Sequence, residues 1–189
     1  FQSSGAVRGG ADEQPNPIAA SYAEIERAIE GSGLEWTFLR LEVFSANALL
    51  WAVEVAEQVK AGDVVRGPYA DAAESPIHEA DIAAVAAVAL TSDGHVGTTY
   101  RMTGPESLTH REQVRLIGDA IGRTLRYEEL PPEVARQRIG PHAPADVLFE
   151  VWATYVGRPA PVTDTVERVT GRPARTFAEW TVDHAADFR

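Results

Sequence analysis

The chain has 189 residues, 44% of them hydrophobic, and a formal net charge of −11. That balance predicts a packed fold and argues against nucleic acid or an anionic membrane as partner, since both recruit Lys and Arg. The sequence has no cysteine, which excludes disulfides, thiolate metal sites and cysteine nucleophiles, and fits a reducing, cytoplasmic setting.

Phe1-Gln2-Ser3 reads as the end of a strand entering Ser4-Gly5, although the same letters match the remnant of a cleavable tag. Gly5 to Pro17 is rich in Gly and Pro and predicts a loop. A helix is expected from Ser21, where Ser21-Tyr22-Ala23-Glu24 has the form of a capping box. Tyr22, Ile25, Ala28 and Ile29 form its apolar stripe, and Gly31-Ser32-Gly33 ends it. Leu34 to Leu41 predicts a short buried strand. Helix, glycine stop, then strand is the rhythm of a parallel α/β sheet.

A second helix is expected from about Asn47 to Lys60, then a loop from Gly62 to Pro76 with room for a short strand at Val64-Val65. Asp81 is expected to cap an apolar helix over Ile82 to Leu90. Thr98 to Thr103 alternates as a strand and turns at Gly104-Pro105. Thr109-His110-Arg111-Glu112 is a capping box for a helix reaching Gly122. A strand over Thr124 to Leu130, a helix starting at Pro131-Pro132, another over Ala145 to Val156 and a last element from Thr176 to Ala186 follow. No stretch approaches the roughly 20 apolar residues of a membrane span, and the start carries no basic-then-apolar leader.

The strands near the start are too few for a stable parallel sheet, so preceding strands are expected outside this sequence. No G-x-G-x-x-G follows a strand and opens a helix, and Gly5-Ala6-Val7-Arg8-Gly9-Gly10 lacks the spacing. His78, Glu79 and Asp81 are potential metal ligands, but no second histidine completes a site, and capping explains Asp81 better. His110 is expected at the surface, and His184 with Asp187 as a solvated pair. Ser4 and Tyr22 have two readings. They converge on a ligand at the carboxyl edge of the sheet, or Ser4 caps the strand end while Tyr22 packs inside.

The ordered segments resemble the NmrA-like branch of the atypical short-chain dehydrogenase/reductases. The resemblance rests on Ser3-Ser4-Gly5-Ala6, on Ser32-Gly33-Leu34-Glu35-Trp36-Thr37-Phe38-Leu39-Arg40, and on Phe44 and Asn47. It continues in Ile77-His78-Glu79-Ala80-Asp81-Ile82-Ala83, in Thr103-Gly104-Pro105 and in Thr170-Gly171-Arg172-Pro173-Ala174-Arg175-Thr176-Phe177-Ala178-Glu179-Trp180. It implies an α/β fold: the C-terminal part of a Rossmann-like, doubly wound parallel sheet over residues 1–65. A mostly helical subdomain over residues 66–189 would pack with it as one unit.

The same resemblance implies an NAD(P)H-dependent oxidoreductase passing hydride to a small organic acceptor of the quinone or azo kind. The alternative is a redox sensor that binds NAD(P) without turnover. NADP or NAD would be bordered here by Ser3, Ser4, Leu41, Val43 and Phe44, with its pyrophosphate held outside this sequence, and Tyr22 is the candidate proton donor. A homodimer through an exposed sheet edge is a further expectation. Two departures stand out. Where a Tyr-x-x-x-Lys pair would stand, the fourth residue after Tyr22 is Glu26, a carboxylate that opposes a phenolate. Where Leu-Arg-Pro is usual, Leu39-Arg40 continues into Leu41, losing the backbone rigidity of proline.

Overall fold

The computed structural model describes residues 1–49, 55–138 and 145–189. Strand β1 (Gln2–Ser4) leads through a glycine-rich loop into helix α1 (Pro17–Glu30), which returns to strand β2 (Thr37–Leu41). α1 starts four residues before the expected point. Asn16 caps it, accepting the Ala19 amide at 2.9 Å, and Pro17 occupies the first turn, where its missing N–H costs nothing. Ser21 and Glu24 are therefore inside the helix and exposed.

After β2 come β3 (Val43–Phe44), a 3₁₀ turn at Ser45–Ala48 and helix α2 (Val55–Ala61). The centre of the helix expected over Asn47 to Lys60 falls at 50–54, outside the described residues. The segment read as loop contains β4 (Val64–Gly67), β5 (Ala73–Glu74) and β6 (Pro76–Ile77). Next are α3 (Glu79–Thr91), β7 (Thr98–Met102), β8 (Leu108–Thr109), α4 (His110–Ile121) and β9 (Arg126–Glu129). Helices α5 (Pro132–Arg136), α6 (Ala145–Thr154), α7 (Thr165–Thr170) and α8 (Phe177–Asp183) complete the chain with a 3₁₀ turn at Ala185–Phe188.

β1, β2 and β7 form a parallel sheet in that order, with Gln2 opposite Leu39 and Leu39 opposite Tyr100. Phe1 joins this ladder, its carbonyl accepting the Leu39 amide at 2.9 Å, so the first residues belong to the sheet. β4 and β9, which pair with each other, fall at the strands expected at Val64-Val65 and over Thr124 to Leu130, whereas the two-residue pairings of β3 with β6 and β5 with β8 are too short to show alternation.

The sheet face packs on α3 and α7 through Leu39, Leu41, Ile77, Val85, Met102 and Val166. A larger cluster joins α2, α4 and α8 through Val59, Val65, Ile117, Phe177, Trp180 and Phe188. Burying each such side chain contributes about 1.5–3 kcal/mol. A smaller cluster of Ala72, Ala135, Phe149 and Trp152 sits under Tyr69 and Leu130. Among the described residues, no helix is long and apolar enough to cross a membrane.

The N-terminus of α3 corrects another expectation. His78, not Asp81, is the cap: its Nδ1 accepts the Ala80 amide at 3.1 Å. Asp81 lies inside the first turn, 2% exposed, and receives the backbone amide and the guanidinium of Arg175. The capping boxes at Thr109 and Thr176 form as their sequences require, and Gly122 closes α4 in the left-handed conformation, φ +71°.

Candidate active site at the sheet edge

In a parallel sheet all carboxyl ends share one edge, and open α/β sheets bind their ligands there. Here the edge is formed by the ends of β1 at Ser4, β2 at Leu41 and β7 at Met102. The three ends are tied together: the Gly5 amide donates to the Leu41 carbonyl at 2.7 Å and the Glu42 amide to Met102 at 3.2 Å. β3 and β6 extend the edge in parallel, Val43 opposite Pro76 and Phe44 opposite Ile77. The Gly104 amide donates to the Ser75 carbonyl at 3.0 Å, and any side chain at Gly104 would strike the Pro76 carbonyl. That contact explains the glycine of the Thr-Gly-Pro turn.

The expected site residues separate into two groups. Ser4 lies at the edge with its Oγ accepting the Ala6 amide at 3.2 Å, so it shapes the turn that leaves β1. Val43 and Phe44 are half-buried at the edge. Leu41 is 2% exposed and its carbonyl is taken by Gly5, which leaves it a structural part of the wall. Ser3 points the other way: it is 4% exposed and donates to Glu26 Oε1 at 2.6 Å. A hydroxyl committed to α1 is not offered to a ligand at the edge. Tyr22 is half-buried on α1, its ring 6.2 Å from that of Phe1, which in turn stands edge-on to Phe38. Its ring thus joins an aromatic group at the beginning of β1, whereas Ser4 ends that strand.

Glu26 is the centre of a network that the sequence reading did not find. Arg40 donates to it through Nε at 3.0 Å and Nη2 at 2.6 Å, while Arg40 Nη1 reaches the Val7 carbonyl at 3.4 Å. Burial works to raise the Glu26 pKa, but the hydrogen bonds from Arg40 and Ser3 and the charge of Arg40 outweigh it, leaving it below the usual carboxylate range. The available signal was an arginine inside an apolar strand and a glutamate on the inward side of a helix. Buried charges demand partners.

Glu42, which follows the Leu41 that stands where the usual pattern has proline, turns its carboxylate onto Gly5 and pairs with Arg101. The edge also carries two hydroxyls, Ser45 Oγ and Ser75 Oγ, that are buried without a hydrogen-bond partner among the described residues. Ser45 directly follows Phe44, and Ser75 directly precedes β6. Buried polar groups without partners are rare and mark places where a ligand or water belongs. Residues at this edge fit the flat, amide-bearing end of a dinucleotide in two respects: half-buried apolar walls and hydroxyls without partners among the described residues. Nothing in the sequence supplies a phosphate cradle.

The His78-Glu79-Ala80-Asp81 segment is structural. With Nδ1 of His78 accepting an amide, its proton sits on Nε2, 3.3 Å from Asp183. Glu79 receives Trp180 Nε1 at 3.0 Å and His184 Nε2 at 2.7 Å, and His184 Nδ1 meets Asp187 at 2.9 Å. Burial works to lower the His184 pKa, but hydrogen bonds with Asp187 and Glu79 and their charges raise it overall. His184 and Asp187 are therefore more than a solvated pair: with Trp180 stacked on the imidazole at 4.6 Å, they clamp α8 to α3. His110 is not at the surface either. Its side chain is 12% exposed, 3.6 Å from Glu74 and edge-on to Trp152. Among the described residues, no cluster of His, Asp and Glu has the arrangement of a metal site.

Residues 8–177 match the NmrA-like family. Over 175 residues the chain is 39% identical to the (4-alkanoyl-5-oxo-2,5-dihydrofuran-3-yl)methyl phosphate reductase of Streptomyces griseus, covering 90% of this chain and 61% of that protein. It is 37% identical over 188 residues to the NAD(P)H azoreductase of Xenophilus azovorans, covering 95% and 63%. The solved structure of an NADPH-dependent quinone oxidoreductase from Escherichia coli, complexed with NADPH, aligns with a TM-score of 0.70 at 23% identity, over 97% of this chain and 64% of that one. The NADP(H) complex of the Citrobacter triphenylmethane reductase aligns at 0.73 and 18% identity, over 97% and 64%. These structures share the Rossmann-like fold. The chain spans 61% and 63% of the length of the two curated relatives.

Proposed function

The chain belongs to the NmrA-like family, and on that premise we propose that it forms the nicotinamide-facing and acceptor-facing part of a cytoplasmic NAD(P)H-dependent oxidoreductase. Its acceptor is a small organic molecule of the quinone or azo kind. Residues 1–65 form the cofactor side and residues 66–189 the mostly helical side that shapes the acceptor pocket. The observation that supports this reading most directly is the identity of 37–39% with two reductases, extending over 90% or more of the chain.

When bound, the nicotinamide supplies the hydride. The chain contributes the floor and donors around it. Ser4 and Gly5 set the turn at the end of β1, Val43 and Phe44 provide the apolar wall, and hydrogen bonds from the buried hydroxyls of Ser45 and Ser75 to a carboxamide or carbonyl oxygen require the edge to rearrange on binding. Excluding water from such a wall strengthens each of those hydrogen bonds. Proton delivery through Tyr22 has little support. Its ring is packed against Phe1, and the residue one turn on, Glu26, is a carboxylate neutralised by Arg40.

A non-catalytic NAD(P) sensor is favoured by that same replacement, because no lysine stands one turn from Tyr22. Calorimetry and acceptor reduction with the full-length protein separate the two. Tight NADPH or NADH binding with turnover of a quinone or azo dye supports the enzyme, and tight binding without turnover supports the sensor. Absence of binding to either nucleotide refutes both.

A further inference from the structure

A hollow of about 370 Å³ lies between α4 and β9, lined by Arg111, Glu112, Arg115, Leu125, Arg126 and Tyr127. We infer that it is a second binding site, for a small organic anion with an apolar body, such as an aryl or acyl phosphate.

Three of the chain's 17 cationic residues converge on this hollow in a protein of net charge −11. Glu112, Asp71 and Asp119 stand beside them, so an anion is selected here by Arg126, unpaired among the described residues, and by exchange with exposed carboxylates. Arg111 and Arg115 are one helical turn apart and share a face of α4, and Arg126 approaches from β9. The guanidinium of Arg126 has no hydrogen-bonded or ion-pair partner among the described residues. Arg111 pairs with Asp71 at 3.3 Å and Arg115 with Asp119 at 2.6 Å, but all four side chains are more than half exposed. Exposed ion pairs contribute little, so an anion presenting two oxygens to planar guanidinium forks displaces the carboxylates at small cost.

The floor is apolar. Leu125 and Tyr127 are each 8% exposed, and the Tyr127 hydroxyl donates to the Pro68 carbonyl at 2.9 Å. Burial raises the Tyr127 pKa strongly, helped by Glu129 and Glu74, so the phenol stays neutral and offers its ring to the ligand. Arg111 Nη1 reaches the Tyr127 carbonyl at 3.5 Å, which holds its guanidinium over that floor. Glu112 is occupied: its carboxylate accepts the Thr109 amide and hydroxyl, both at 2.7 Å, in the capping box. Its charge also acts on Arg115, which leaves Arg111 and Arg126 as the principal holders of the anion.

The test is a calorimetric titration of the intact protein with phenyl phosphate, with inorganic phosphate and without any nicotinamide cofactor present. Saturable one-to-one binding of phenyl phosphate is expected, weakening as salt rises. Arg111→Gln and Arg126→Gln should each weaken it by about tenfold or more, the loss of a charge-assisted contact. Arg168→Gln, on α7, should leave it unchanged. Melting curves of the variants confirm that exposed substitutions leave the fold intact. No saturation, or binding indifferent to both substitutions, overturns the site. Inorganic phosphate binding as tightly as phenyl phosphate overturns the apolar floor. Neither result bears on nucleotide binding at the sheet edge.

Discussion

The carboxyl edge of the sheet and the junction between α3 and α8 treat polar groups in opposite ways. At the junction His78, Glu79, Asp81, Arg175, Trp180 and His184 all have partners, several of them from segments about a hundred residues apart in sequence. At the edge, Ser45 and Ser75 are buried with hydroxyls that have no partner among the described residues. Saturated polar clusters hold architecture together. An unsaturated one costs stability and persists where a ligand repays it. The segment richest in chemically suggestive residues, His78-Glu79-Ala80-Asp81, thus belongs to the scaffold, while the plain stretch Leu41 to Ser45 borders the site.

The largest effects should come from breaking the saturated regions. Trp180→Ala, at a fully buried ring stacked between Phe177 and His184, should cost about 3–5 kcal/mol in denaturant unfolding. Arg40→Ala should cost a similar amount, about 3–5 kcal/mol, because it strands the Glu26 carboxylate in a buried place. Glu26→Gln keeps the shape and should cost less, about 1–2 kcal/mol. Equal losses for Arg40→Ala and Glu26→Gln would mean that the geometry, not the charge, sustains the network.

A pH titration should divide the regions by sign. Glu26 has a folded pKa below its ordinary 4.5, so its contribution is present above that value and is lost as pH falls through the folded pKa. His184 has a folded pKa above its ordinary 6.5. Its contribution is present below 6.5 and is lost as pH rises through the folded value. Hydrogen exchange, corrected for intrinsic rates, should therefore show α1 loosening as pH falls below 4.5 through the folded Glu26 pKa, and the end of α8 loosening above pH 6.5. Glu79, whose pKa is also lowered against the opposing effect of burial, adds an acid-side loss at α8. Flat behaviour of α8 between pH 6 and 9 would show that the His184 clamp is not charged.

The smallest effect is expected at the edge. Ser45→Ala and Ser75→Ala remove no hydrogen bond, so stability should change by within about 0.5 kcal/mol or rise slightly. The same substitutions should weaken nucleotide or acceptor binding by the full-length protein. A loss above about 1 kcal/mol of stability without ligand would reveal a buried water already satisfying the hydroxyls.

Much of the fold was legible because its signals are local. Thr109 with Glu112 and Thr176 with Glu179 specify helix starts within four residues, and Gly122 ends α4 within one. The ordered segments from Ser3 to Trp180 carry the family pattern in the sequence itself. Asn16 was overlooked as a cap because Ser21-Tyr22-Ala23-Glu24 offered a competing local signal; Pro17 fixes the helical φ earlier and wins. The paired strands β3 and β6 were too short to alternate.

The sequence by itself determined where α4 and α8 start and where α4 stops, that the sheet is parallel, and which family pattern the segments follow. These depend on capping, periodicity and turn chemistry that act over a few residues. Tertiary structure alone decided which charges meet: Glu26 with Arg40 across 14 positions, Asp81 with Arg175 across 94, and Glu79 with His184 across 105. It also decided that Ser3 and Tyr22 turn into α1 and its aromatic packing while Ser45 and Ser75, at the edge, stay unpaired among the described residues. Side-chain partnership is set by which surfaces the packed elements bring together, and no short-range rule in the chain encodes that distance.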